Sequence, residues 1–139
     1  MSDEQKVGVS RLVYVGEEYP GVRCFRGERN TLLVGLAQDC ADTLARRGDK
    51  AYWDDGHPGW DARYREIRAT LGMTAVEVSA FSWPQTSDEI TDEIVHGMFF
   101  DWQRSDGHWN VVSTEHKMYG DALAKSLTNV WFGVVITAD

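Results

Sequence analysis

The chain has 139 residues, 42% hydrophobic and 26% charged, the balance of an ordinary globular domain with one core. Its 22 acidic residues against 14 basic ones give a formal charge of −8, a field that repels polyanions, and the nearest basic cluster, Arg23, Arg26 and Arg29, is interrupted by Glu28 and follows Glu17 and Glu18. No nucleic-acid partner is expected, and since no run approaches the roughly 18 apolar residues of a membrane span, no integral membrane segment is expected either.

The amino terminus, MSDEQKVGVS, lacks the basic and apolar regions of a secretory signal, so the sequence predicts a chain that is cytoplasmic as synthesised. Residues 1–28 read as a loose arm or short hairpin, with extended runs at 11–15 and 21–25 around the turn-like Glu17-Glu18-Tyr19-Pro20-Gly21. From Asn30 the pattern sharpens. Leu32, Leu36, Cys40 and Leu44 recur every four residues beside Leu33, Ala37, Ala41 and Ala45, which predicts a helix over 31–47 with Asn30 or Thr31 as its cap and Gly48 as its stop.

The stretch 54–59 is rich in turn formers, and Trp60, Tyr64, Ile67 and Leu71 then predict a second helix ending at Gly72. Residues 74–80 alternate as a strand does, with Val76, Val78 and Ala80 on one face and Ala75, Glu77 and Ser79 on the other. Thr86 with Glu89 suggests a capping box, and Ile90, Ile94, Val95, Met98, Phe99 and Trp102 predict a third helix over 88–103. Ser105-Asp106-Gly107 reads as a tight turn presenting His108 and Trp109. Residues 117–125 and 130–137 read as an antiparallel pair of strands. That order predicts an α+β fold, an α-β-α sandwich whose small, largely antiparallel sheet is covered by helices on both faces. Two cysteines, Cys24 and Cys40, do not make a disulfide scaffold, and Cys40 lies on the apolar stripe of the first helix.

Several of these segments resemble one family. Leu36-Ala37-Gln38 with Ala41 and Leu44-Ala45, His57 followed by Gly59 and by Arg63 or Arg65, and above all Trp102-Gln103-Arg104-Ser105-Asp106-Gly107-His108-Trp109-Asn110 are similar to motifs of the CAP superfamily, the sperm-coating and pathogenesis-related proteins. The last matches the bacterial form Trp-x-x-Ser-Pro-Gly-His-x-x-Asn in the spacing of Trp102, Ser105, Gly107 and His108. Tyr119-Gly120-Asp121-Ala122 and Trp131-Phe132-Gly133-Val134-Val135 are similar to the family's last two strands. The resemblance spans about 29–137 and implies a CAP-like domain over 29–139.

The resemblance also implies a cleft lined by His57, Glu77 and His108, a reduced form of the family's two-His, two-Glu tetrad. The Gly-Glu-Asn strand motif appears as Val76-Glu77-Val78, Ser105 stands where animal members carry a second Glu, and Asp106 is a candidate substitute. Two imidazoles and a carboxylate suit a borderline divalent ion such as zinc with open positions, or a small ligand; no local metal spacing such as His-Glu-x-x-His supports the metal independently. Trp53, Trp60 and Trp109 are candidate walls of that cleft, whereas Phe99 and Trp102 continue an apolar helix face and read as core. Ser105 beside His108 has no assured nucleophile geometry, and no glycine-flanked nucleophile turn is present.

Three function classes stay open at this point. A non-catalytic binding domain for a small molecule or protein partner is favoured, ahead of a structural or decorating subunit of a virion or other self-assembled particle and of a metal-assisted hydrolase. Because most CAP relatives are secreted, the absence of a signal leaves a mature exported product, a cytoplasmic protein and a particle component as readings of the compartment.

Overall fold

In a computed structural model that describes residues 10–139, the elements run α1 (Arg11–Glu18), β1 (Glu28–Arg29), α2 (Thr31–Arg47), α3 (Asp49–Asp54), α4 (Trp60–Leu71), β2 (Ala75–Phe81), α5 (Asp92–Gln103), α6 (Asp106–Val112), β3 (Met118–Lys125) and β4 (Trp131–Ala138). The sheet order is β1-β3-β4-β2, with β1 parallel to β3 and the other pairs antiparallel. No described helix is long and apolar enough to cross a membrane.

Strand β4 lies in the middle of the sheet and is covered on both sides, which is why Trp131–Ala138 is a nearly unbroken apolar run. Its odd and even residues divide between two cores. On one face Val135 joins Val78, Ala80 and Tyr119 beneath Leu12 and Val13 of α1, Phe99 and Trp102 of α5 and Val112 of α6. On the other, Phe132, Val134 and Ile136 meet Leu33, Leu36, Cys40 and Leu44 of α2 and Ile67 of α4. The predicted α+β architecture, with helices packed on the sheet, is the one the chain adopts.

Helix α2 sits so close to β3 that a Cβ at Gly120 would lie 2.2 Å from the Leu33 carbonyl carbon. Glycine is thus required there by backbone approach rather than by a turn. Asn30 Oδ1 accepts from the Leu33 amide at 3.1 Å, and Gly72 ends α4 in the left-handed conformation at φ 67°.

Three local expectations are corrected. Residues 11–15 are helical, because Ser10 caps α1 through Val13 N and the buried face of Leu12, Val13 and Val15 outweighs the strand preference of the valines. Helix α5 starts at Asp92, capped by Thr91 Oγ1 accepting from Ile94 N, since Asp92 and Glu93 favour the positive helix end while Ser87 Oγ closes a separate turn onto Glu89 N. Ser105-Asp106-Gly107 opens a short helix instead of a tight turn, so α6 carries His108 and Trp109. Between Gly48 and the turn-rich 54–59, where the sequence predicts no element, the chain forms α3, too short to show a periodic pattern.

Residues 1–9 of the expected arm lie outside the described residues. From Ser10 onward the lead-in is anchored: the Ser10 hydroxyl donates to Asp121 Oδ2, and Arg29 Nε donates to Asp121 Oδ1 at 2.9 Å. Asp121 is buried in β3, so one carboxylate ties the start of α1 and the edge strand β1 to the sheet.

Candidate functional site

The site forms beside β2, at one edge of the sheet, where the loop before α4 meets the strand and α6 approaches it. Its floor is an ion pair. Arg63 of α4 donates from Nε to Glu77 Oε2 at 2.8 Å and from Nη2 to Oε1 at 2.7 Å, and its Nη1 donates to the Pro58 carbonyl. The side chains are 8% and 1% exposed. Because helices cover both sheet faces, Glu77 is not the outward position that strand alternation alone suggests; it lies under α2 and α4, where Cys40 Sγ is 3.4 Å from its Oε1.

His57 stands on this pair, with Nδ1 2.9 Å from Glu77 Oε1 and its side chain 37% exposed. A carboxylate accepts only, so Nδ1 carries the proton in the contact and, in the neutral ring, Nε2 keeps its lone pair. Nε2 has no hydrogen-bond partner among the described residues. The loop itself is fixed from three sides: Asp55 Oδ1 accepts from the His57 amide at 2.8 Å, the Gly56 carbonyl accepts from Ser79 Oγ at 2.8 Å, and Gly56 packs against the Tyr52 ring.

Burial alone would raise the Glu77 carboxyl, but hydrogen bonds from His57 and Arg63 together with the Arg63 charge outweigh it and hold the group below its ordinary value. His108, half-buried on α6, is held below the ordinary imidazole value first by burial and then by the charge of His57, which places the two rings within electrostatic reach. Its imidazole makes no hydrogen bond to a described residue. Thus Glu77 is the orienting partner of His57, and His108 lies near enough for the His57 charge to act on its imidazole.

That role removes Glu77 from a metal's first shell. Both of its oxygens are engaged by Arg63, and among the described residues no group of three or more His, Cys, Asp or Glu side chains is placed to hold a metal ion. A three-ligand zinc site built from His57, Glu77 and His108 therefore does not fit this arrangement, and the free donors are two imidazoles.

Of the other candidates, Asp106 is exposed in the first turn of α6 and bonds to no described side chain. Trp109 is turned away from the expected cleft: its ring packs on Gly21 and lies 6.2 Å from Tyr19, against the α1 side of the core. Trp60 stacks with Tyr64 and under the Arg63 guanidinium at 5.8 Å. His96 packs on Tyr19, and His116 bridges Asp139 and the Val111 carbonyl at 2.7 and 2.8 Å.

No described serine or cysteine is bonded to His57 or His108. Cys24 and Cys40 are free and buried on opposite sides of the sheet, and burial pushes the Cys24 thiol up to about 12 and the Cys40 thiol higher still. The residue that sequence reasoning undervalued is Arg63. It lies four positions before Ile67 on the buried stripe of α4, and a charged residue on an apolar stripe is the available signal of a buried ionic partner. The chain matches no protein-family model and no curated protein.

Proposed function

We propose that the chain is a CAP-like, non-catalytic binding domain whose cleft receives a small ligand between His57 and His108. The observation that carries this reading is the pair of half-buried imidazoles, within electrostatic reach of each other and without partners for their free nitrogens among the described residues, one of them, His57, standing on a locked Arg63–Glu77 bridge. Polar groups that are partly buried and unpaired are what a ligand completes. The order of elements and the Trp102-to-Asn110 segment support the family reading. The buried thiols, and the lack of a serine beside either imidazole among the described residues, argue against covalent catalysis.

With Glu77 withheld, a divalent ion gains two neutral imidazoles and must fill its remaining positions with water or ligand, so it binds weakly. Zinc is therefore a usable probe of the two donors. Side-chain NMR of the histidine-labelled chain titrated with zinc chloride is expected to shift His57 and His108 together while His96 and His116 stay in place. Shifts confined to His96 or His116, or unchanged zinc binding by His57→Ala/His108→Ala, would overturn the reading.

A further inference from the structure

Beyond the loop that carries His57, a column of aromatic rings leads from the core to the surface. Phe132 is fully buried, Phe81 at the end of β2 lies 6.1 Å from it, Tyr52 of α3 lies 4.8 Å from Phe81, and Trp53 meets Phe81 edge-on at 5.5 Å and 89°. Tyr52 is itself pinned by its hydroxyl, which donates to the Ser79 carbonyl at 2.8 Å. Trp53 is nonetheless 76% exposed, and Trp83, two residues past Phe81, is 84% exposed. Two large rings in water cost solvation without stabilising the fold, and at Trp53 the ring is braced from beneath. A braced, exposed tryptophan loses little freedom on contact, which is the property of an interface anchor.

Charge selects the occupant. Asp54 and Asp55 follow Trp53 directly and are exposed, and Lys50 is the one basic residue of α3. With a formal charge of −8 on the whole chain, this rim attracts cations. Tryptophan faces bind guanidinium and ammonium groups through the ring quadrupole. We propose that Trp53, Phe81 and Trp83 form a docking surface for a basic segment of a partner protein, with an arginine or lysine seated over an exposed tryptophan face. Asp54, next to Trp53 in the chain, holds the cation's other side.

The test is calorimetric titration of the full chain with an alternating arginine–glycine peptide and with the matched glutamine–glycine peptide. The arginine peptide is expected to bind and the glutamine peptide not to; Trp53→Ala/Trp83→Ala should bind about tenfold more weakly with its charge unchanged. Trp83→Ala alone, at a site with almost no packing to lose, should weaken binding in the same direction at an unchanged melting temperature, as should Asp54→Asn. Equal affinity of the wild type and both tryptophan variants would assign the binding to bulk charge and overturn the proposal. So would tryptophan-dependent binding of a chitin oligosaccharide or of anionic phosphatidylglycerol vesicles without binding of the arginine peptide.

Discussion

Arg63 and Glu77 form a two-pronged bridge with almost no solvent access, and His57 takes its orientation from the same carboxylate oxygen that Arg63 Nη2 holds. Removing one member leaves the other charged and buried. Arg63→Leu is therefore expected to destabilise the chain by about 3–5 kcal/mol in urea melts, and adding Glu77→Leu should recover much of that loss, since a buried pair is replaced by apolar packing more cheaply than it is broken. A double variant no more stable than the single one would show that the bridge is not coupled in this way.

Trp102 fills the core beneath β2 and donates from Nε1 to the Ser79 carbonyl at 2.9 Å. Trp102→Ala should cost about 3–5 kcal/mol, the range for deleting a buried large aromatic. Trp102→Phe keeps most of the packing and leaves Tyr52 donating to the same carbonyl, so its loss should be clearly smaller. Equal losses for the two variants in urea melts would place the effect in the hydrogen bond and not in the ring.

At Gly120 the backbone of α2 occupies the space a side chain would need. Gly120→Ala is expected to destabilise by at least about 1–3 kcal/mol, the range of core overpacking, even though alanine suits β3 no worse than glycine does. A neutral substitution in thermal melts would mean that α2 slides easily along the sheet.

His108 has a folded value below its ordinary 6.5, and Glu77 one below its ordinary 4.5. In both cases the unfolded chain binds protons more readily than the folded chain. Their contributions to stability are therefore fully present above those ordinary values and are lost as pH falls through the lower, folded ones. Urea midpoints should decline from neutral pH into the acid range, the first part of the decline shrinking in His108→Gln.

Both thiols should resist a thiol reagent in the native chain and react fully after denaturation without reductant, since Cys24 and Cys40 are inaccessible and lie in separate cores. Failure to recover free thiol would require a rearrangement of the sheet faces.

The sequence was most informative where one physical signal dominated. The stripe from Leu33 to Leu44 and the caps at Asn30 and Gly72 place α2 and α4 as predicted, and the apolar run of β4 marks the centre of the sheet. At α1, local preference and tertiary burial disagree: Val13 and Val15 favour strand geometry, and only packing against α5 and the sheet decides for helix. For the candidate site, the sequence names residues but not their arrangement. Glu77 looks available on a strand read alone, and its withdrawal into a bridge depends on Arg63, which reaches it from a different element. Trp109 adjoins His108 in sequence, yet the short helix α6 directs it toward Gly21.

The double donation to the Ser79 carbonyl has a consequence for how copies of this chain behave together. Ser79 lies on the open side of β2, where an unpaired strand offers a template for joining sheets end to end. Tyr52 from one layer and Trp102 from the other occupy its carbonyl. The opposite margin ends in β1, two residues long. With its margin plugged at the middle, β2 is a poor template for joining the sheets of two copies edge to edge.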